Sequence, residues 1–207
     1  MDVLTALVMD GVGFGRTAIG LVVKPYETYR RIVSHSRLGE LIYISTLVCV
    51  YFAVASLVKV AAFRPFLLTK QFFVLSLAAT GKFVMAAGSL WVAGTLLKTT
   101  FKTRALLVAW GYTLLPTIAW FFITSLLYVI LPPPRTTSVL GMSFSVLFIM
   151  FSVTLLWWKI MMSYLTVRFV FKLDLLHIAV LCGIALPIIA GYSSLMYYWG
   201  IFKVPFL

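Results

Sequence analysis

Long uninterrupted apolar runs dominate this chain, in place of the alternating apolar and polar positions of a soluble one. Five runs reach the roughly 20 residues that a helix needs to cross the hydrocarbon core of a bilayer: 38–62, 72–97, 105–131, 139–158 and 175–199. Charge or proline marks every break, at Arg64-Pro65 and Lys70, at 98–104, at Pro132-Pro133-Pro134-Arg135 and at 159–174. None of these connectors is long enough to fold alone. The pattern predicts an all-α integral membrane protein, a bundle of about five transmembrane helices over 38–207. A leader over 1–37 precedes it and carries a short N-terminal amphipathic interfacial helix.

Within the leader, Pro25 stands at an early helical position and Tyr26, Tyr29, Ile32 and Val33 recur at helical spacing, with Lys24, Arg30 and Arg31 on the other face. Such a helix lies in the headgroup layer, its apolar stripe buried and its cations against anionic lipids. Lys24, Tyr29, Arg30 and Arg31 are therefore expected to meet the membrane surface or a partner, plain anchoring of the first span being the blander use. Upstream, Asp10-Gly11-Val12-Gly13-Phe14-Gly15-Arg16 lacks the Lys-Ser/Thr ending of a phosphate loop and is expected to form a flexible bend. Met1-Asp2-Val3 supplies an acid where a signal peptide has a basic region, so no cleaved signal is expected.

Composition closes off the soluble alternatives. The chain is 63% hydrophobic and 11% charged, against about 45–50% and 25% in average soluble domains. Its net charge of +12 is spread over loops, which speaks against nucleic acid and for the cytoplasmic face of a membrane. Eleven of the 17 Lys and Arg fall before span one, between spans two and three, or between four and five. The N-terminus is thereby expected in the cytoplasm and the C-terminus outside. Trp157-Trp158 and Tyr197-Tyr198-Trp199 mark interfacial ends. Residues 160–171, beyond Trp158, are expected to protrude as a helix that packs on something at the cytoplasmic surface. Cys49 and Cys182 lie in apolar runs and act as small hydrophobes, with no disulfide expected.

Candidate chemistry is sparse. Lys82 is the strong charge well inside a span, either functional or snorkelling to an interface. Glu40 and Asp174 stand at span ends, so a buried carboxylate relay is missing, and His35 and His177 are isolated. No paired acid and base, metal cluster or activated nucleophile is visible, so no catalytic residue, metal or cofactor is expected. Small residues recur every seven positions at Gly81, Gly88 and Thr95, and every four at Ala179, Gly183, Pro187 and Gly191, a spacing that lets helices approach closely. Pro116 and Pro187 each remove a helical amide and are expected to bend their spans.

The string Ala109-Trp110-Gly111-Tyr112-Thr113-Leu114-Leu115-Pro116, opening the third span, resembles the Gly-Tyr…Pro motif of the Yip (Ypt/Rab-interacting protein) domain family. The lead-in from Lys24 to Ile32 resembles that of its prokaryotic members, and the likeness covers the chain from about Val22 onward. The resemblance implies five clustered spans, a cytoplasmic N-terminus, and an adaptor in a bacterial or archaeal plasma membrane that binds other membrane proteins, or copies of itself, or organises membrane. Gly111, Tyr112 and Pro116 carry over as motif positions. The long cytoplasmic Asp-Leu-Tyr-Gly-Pro region of the eukaryotic trafficking members is missing, and with it the Rab-GTPase partnership. The rival reading is a small-solute or lipid permease component using Lys82 and the proline-bent helices.

Overall fold

A computed structural model of the chain describes residues 3–59, 65–130 and 139–201, and among these the secondary structure is helical with no strand. The helices are α1 (Val3–Val23), α2 (Pro25–Ser34), α3 (Gly39–Lys59), α4 (Pro65–Leu96), α5 (Thr103–Tyr112), α6 (Leu115–Ile130), α7 (Val139–Phe171) and α8 (Leu175–Tyr198). Four stretches are long and apolar enough to cross a membrane: Thr69–Leu96, Thr103–Leu127, Gly141–Phe171 and Leu175–Tyr198. Gly39–Ala55 of α3 is a shorter apolar segment. The chain is an all-α protein with the helices of a multi-pass membrane protein.

α4 packs most extensively on α8, and α3 bridges α4 to α6. α1, α2 and α5 gather with the last turns of α4 and α7 and the start of α8 at one end of the bundle. The largest fully buried side chains, Tyr29, Tyr112, Leu21, Ile44, Leu106, Met162 and Leu181, sit in this packed end. Further along, the outer half of α7 leans on α6 through Trp120, whose Nε1 donates to Ser152 Oγ at 2.9 Å. Val146, Ile149, Met150, Val153 and Trp157 stay exposed there.

Two expectations for the leader are corrected. Asp10 to Arg16 forms no bend but lies inside the continuous helix α1. Tertiary contact outweighs the low helix propensity of glycine, about 1 kcal/mol per residue. Gly11 lets the Tyr43 ring come within 3.0 Å of where a Cβ would stand, and Gly20 does the same for Thr28. Residues 25–34 do form α2, with proline in its first turn, but of the stripe expected in the headgroup layer Tyr29 and Ile32 are buried in protein, Val33 is half-buried and only Tyr26 is exposed. Tyr29 is 0% and Ile32 4% exposed, against α5 and α7. Helical periodicity reports that a face is apolar, whether its solvent is lipid or protein.

Residues 160–171 prolong α7 without a break, as expected, and what they pack on is α2 and α5 of the same chain. At 33 residues α7 is about 50 Å long, well beyond a hydrocarbon core of about 30 Å. The third apolar run is interrupted between α5 and α6, where the amides of Thr113 and Leu114 turn to the carbonyls of Trp110 and Gly111, 3.1 and 3.0 Å away. Pro116, in the first turn of α6, has no amide to continue the ladder, which is the physical reason for the break.

Candidate functional site

The packed end is organised around Tyr112. Its ring, fully buried, stacks on Phe14 with centroids 6.0 Å apart, and Phe14 stacks in turn on Tyr43. Its hydroxyl donates to Glu40 Oε2 at 2.7 Å, joining α5 to the first turn of α3. Glu40 is 8% exposed and shares an electrostatic group with Asp10, Arg31 and Arg37, in which Arg37 pairs with Asp10 at 3.5 Å. Asp10 lies tight against Gly39, so any larger residue there would displace it. Gly111, beside Tyr112, is buried where a Cβ would run into the Leu41 side chain. Pro116 is fully buried below. The three motif positions thus lie together in the core.

A second buried polar group lies one turn away. The Tyr29 hydroxyl and Thr166 Oγ1 both lie near the carbonyl of Ala109, at 3.5 and 3.4 Å, beyond the usual O–H···O range, and the one hydroxyl proton of Thr166 goes to Met162 O at 2.9 Å. Burial pushes the Tyr29 hydroxyl well above the ordinary tyrosine range, so it stays neutral. Tyr29, expected at the membrane surface or against a partner, is instead 0% exposed within the chain's own core. Lys24, Arg30 and Arg31 are exposed, and Lys24 pairs with Glu27 at 3.7 Å.

The small-residue stripes divide. On α4, Gly81 meets the Tyr192 hydroxyl, which donates to Ala78 O at 2.9 Å, whereas Gly88 and Thr95 are exposed. The face of α4 that packs is Leu75, Ala78, Ala86, Leu90 and Ala93. On α8, Ala179, Gly183, Pro187 and Gly191 all point away from the bundle. Lys82 is partly exposed midway along Thr69–Leu96 and is not isolated. Lys159 lies within electrostatic reach of it. Gly94 of α4 meets Phe171 of α7, and both lysines stand 12 residues, about 18 Å, before that contact. The two helices run to the same end, so the two ammonium groups share a level.

Sequence reasoning missed Glu40, Phe14, Thr166 and Lys159. Glu40 precedes Tyr112 by 72 residues, and no local pattern announces that pairing. Among the described residues no group of three His, Cys, Asp or Glu is placed to hold a metal ion. The class that the fold defines is a multi-pass helical membrane protein with a polar centre buried at one end. No family model matches the chain, and neither a curated protein nor a solved structure matches it.

Proposed function

We propose that the chain is a non-enzymatic scaffold or accessory subunit of the Yip type, in a bacterial or archaeal plasma membrane, that holds the helix of another membrane protein against α8. The observation that carries this reading is the outward small-residue face of α8. A Cβ added at Gly183 or Gly191 meets open space, while the opposite face, Ile178, Leu181 and Ala185, is already buried in the bundle. In lipid, apolar contact alone brings helices together weakly, and small residues at four-residue spacing give a second backbone a close approach. Lipid by itself asks for no such surface.

In this proposal α3 is the fifth span and the packed end faces the cytoplasm. Arg30, Arg31, Arg37, Lys98, Lys102, Arg104, Arg168 and Lys172 all belong to the segments that meet there, in keeping with the positive-inside rule. Cys49 stands about 14 Å along α3 from Glu40, near mid-membrane. It should resist a membrane-impermeant maleimide in intact cells and react once detergent is added; rapid labelling before detergent removes α3 from the spans.

The partner is tested by purification from native membranes followed by mass spectrometry, with the wild-type chain and Gly183→Leu compared. A stoichiometric membrane protein lost in the variant is the expected result. Equal recovery from both contradicts the proposal, and recovery of second copies alone replaces an accessory role by self-assembly. The second reading, a permease component, is favoured by the two lysines at one level. It predicts solute movement by the reconstituted chain that Lys82→Leu abolishes while the fold persists.

A further inference from the structure

We propose that the packed end carries a binding site for a phosphorylated anion, in the cavity between α2, the loop from α4 to α5, and the end of α7. The cavity has a volume of about 870 Å³. Arg30, Lys102, Arg168 and Lys172 enter its wall from three directions, and Phe101 and Phe169 supply apolar edges. Among the described residues no carboxylate lines it; Asp174, two residues past Lys172, stands outside the wall at the start of α8, within electrostatic reach of Arg168.

Cations on this side of a membrane protein are ordinarily topological, and a left-handed lysine does not set the group apart, since Lys98 outside the cavity has φ 53° and Lys172 has φ 54°; two other observations do. Glycine is the relaxed residue at such a helix-closing position, so Lys172→Gly removes the cation without straining the backbone. First, Lys102 is the N-cap of α5 and makes no side-chain cap. The first intrahelical bond runs from Leu106 N to Lys102 O, 3.1 Å, so the amides of 103–105 point out of the helix. Lys102 and Ala105, which bracket those amides, both line the cavity, and the positive end of a helix favours an anion. Finally, Arg168 is held in place, its Nη1 donating to the Tyr164 hydroxyl at 2.5 Å and its guanidinium 5.8 Å from that ring.

A phosphoryl group fits this arrangement better than a single carboxylate, because it offers three acceptor oxygens and up to two charges to donors arriving from several sides. A lipid headgroup and a soluble phosphate ester share that chemistry. The site is independent of the partner proposed for α8, and neither stands or falls with the other.

The test uses the full-length chain in nanodiscs. In phosphatidylcholine discs, labelled inorganic pyrophosphate is titrated; in discs doped with phosphatidylglycerol, lipid retained after detergent exchange is counted by native mass spectrometry. One saturable site is expected in one arm, and the arm that shows it identifies the source. Lys172→Gly and Arg30→Gln should each weaken it about five-fold, while Lys24→Gln, outside the cavity, should leave it unchanged. Lys172→Gly relieves the backbone as it removes the cation, so its loss of binding does not come from misfolding. No saturable binding in either arm, or an equal loss in Lys24→Gln, overturns the proposal.

Discussion

Tyr112→Phe removes one oxygen and leaves the rest of the residue in place. The ring keeps its stack on Phe14 at 6.0 Å, so packing is unchanged, and the loss falls on the 2.7 Å bond to Glu40. A hydrogen bond to a charged group contributes about 1.5–3 kcal/mol, and a buried acceptor left without its donor costs about 1–3 kcal/mol. Arg31 and Arg37 stand within electrostatic reach of Glu40 and offset part of that cost, which puts the expected loss at about 2 kcal/mol. For a chain of this size that corresponds to a fall in Tm of about 4–8 °C. Thermal unfolding in detergent, followed by far-ultraviolet circular dichroism, measures it. Glu40→Gln keeps an acceptor opposite the hydroxyl and should cost about 1 kcal/mol. The double variant should then be less destabilised than the sum of the two, with a coupling of at least about 0.5 kcal/mol. Strict additivity, or a Tyr112→Phe variant as stable as wild type, would refute the claim that this bond holds α3 to α5.

Gly111→Ala should lower stability by about 1 kcal/mol, overpacking against Leu41 outweighing the gain in helix propensity, whereas Gly183→Ala, whose Cβ enters open space, should raise it by about 0.5–1 kcal/mol; chemical denaturation in mixed micelles reads both. Tyr29→Phe should cost under about 1 kcal/mol because the bond to Ala109 is long, and Tyr29→Ala about 3–5 kcal/mol because a fully buried ring is lost; equal costs would contradict the packing account. Trp157, 71% exposed on α7, should be quenched by lipids brominated along their chains, and protection from them would mean that this face meets protein instead.

The long apolar runs were legible in the sequence because a helix must satisfy its own backbone in lipid, and continuous apolar length is a signal that survives without any partner. What the pattern left out depends on contacts far apart in the chain. Glu40 reads as an acid at a span edge until Tyr112 is seen 72 residues later. The glycines from Gly11 to Gly15 read as flexibility, yet Gly11 is a place where Tyr43 comes close. Seven-residue spacing linked Gly81, Gly88 and Thr95, but only Gly81 faces Tyr192. Spacing fixes which residues share a helix face, not which face has a neighbour.

The distribution of polar anchors explains how one chain has both a rigid end and an open one. Between membrane helices the hydrophobic effect supplies little attraction, so hydrogen bonds and close backbone approach decide which pairs hold. At the packed end Tyr112 with Glu40, Arg37 with Asp10, and, more weakly, Tyr29 on Ala109 tie α1, α2, α3 and α5 together, and α7 packs on α2 and α5. Away from it the bonds from Trp120 to Ser152 and from Tyr192 to Ala78 secure one side each of α7 and α8. The remaining surfaces of those helices, apolar on α7 and, on α8, a strip of small residues flanked by Val180, Leu186 and Ile188, are not covered by the described helices. The partner proposed for α8 would therefore meet a helix whose register is already set by α4, and would bind without the entropic cost of ordering that helix.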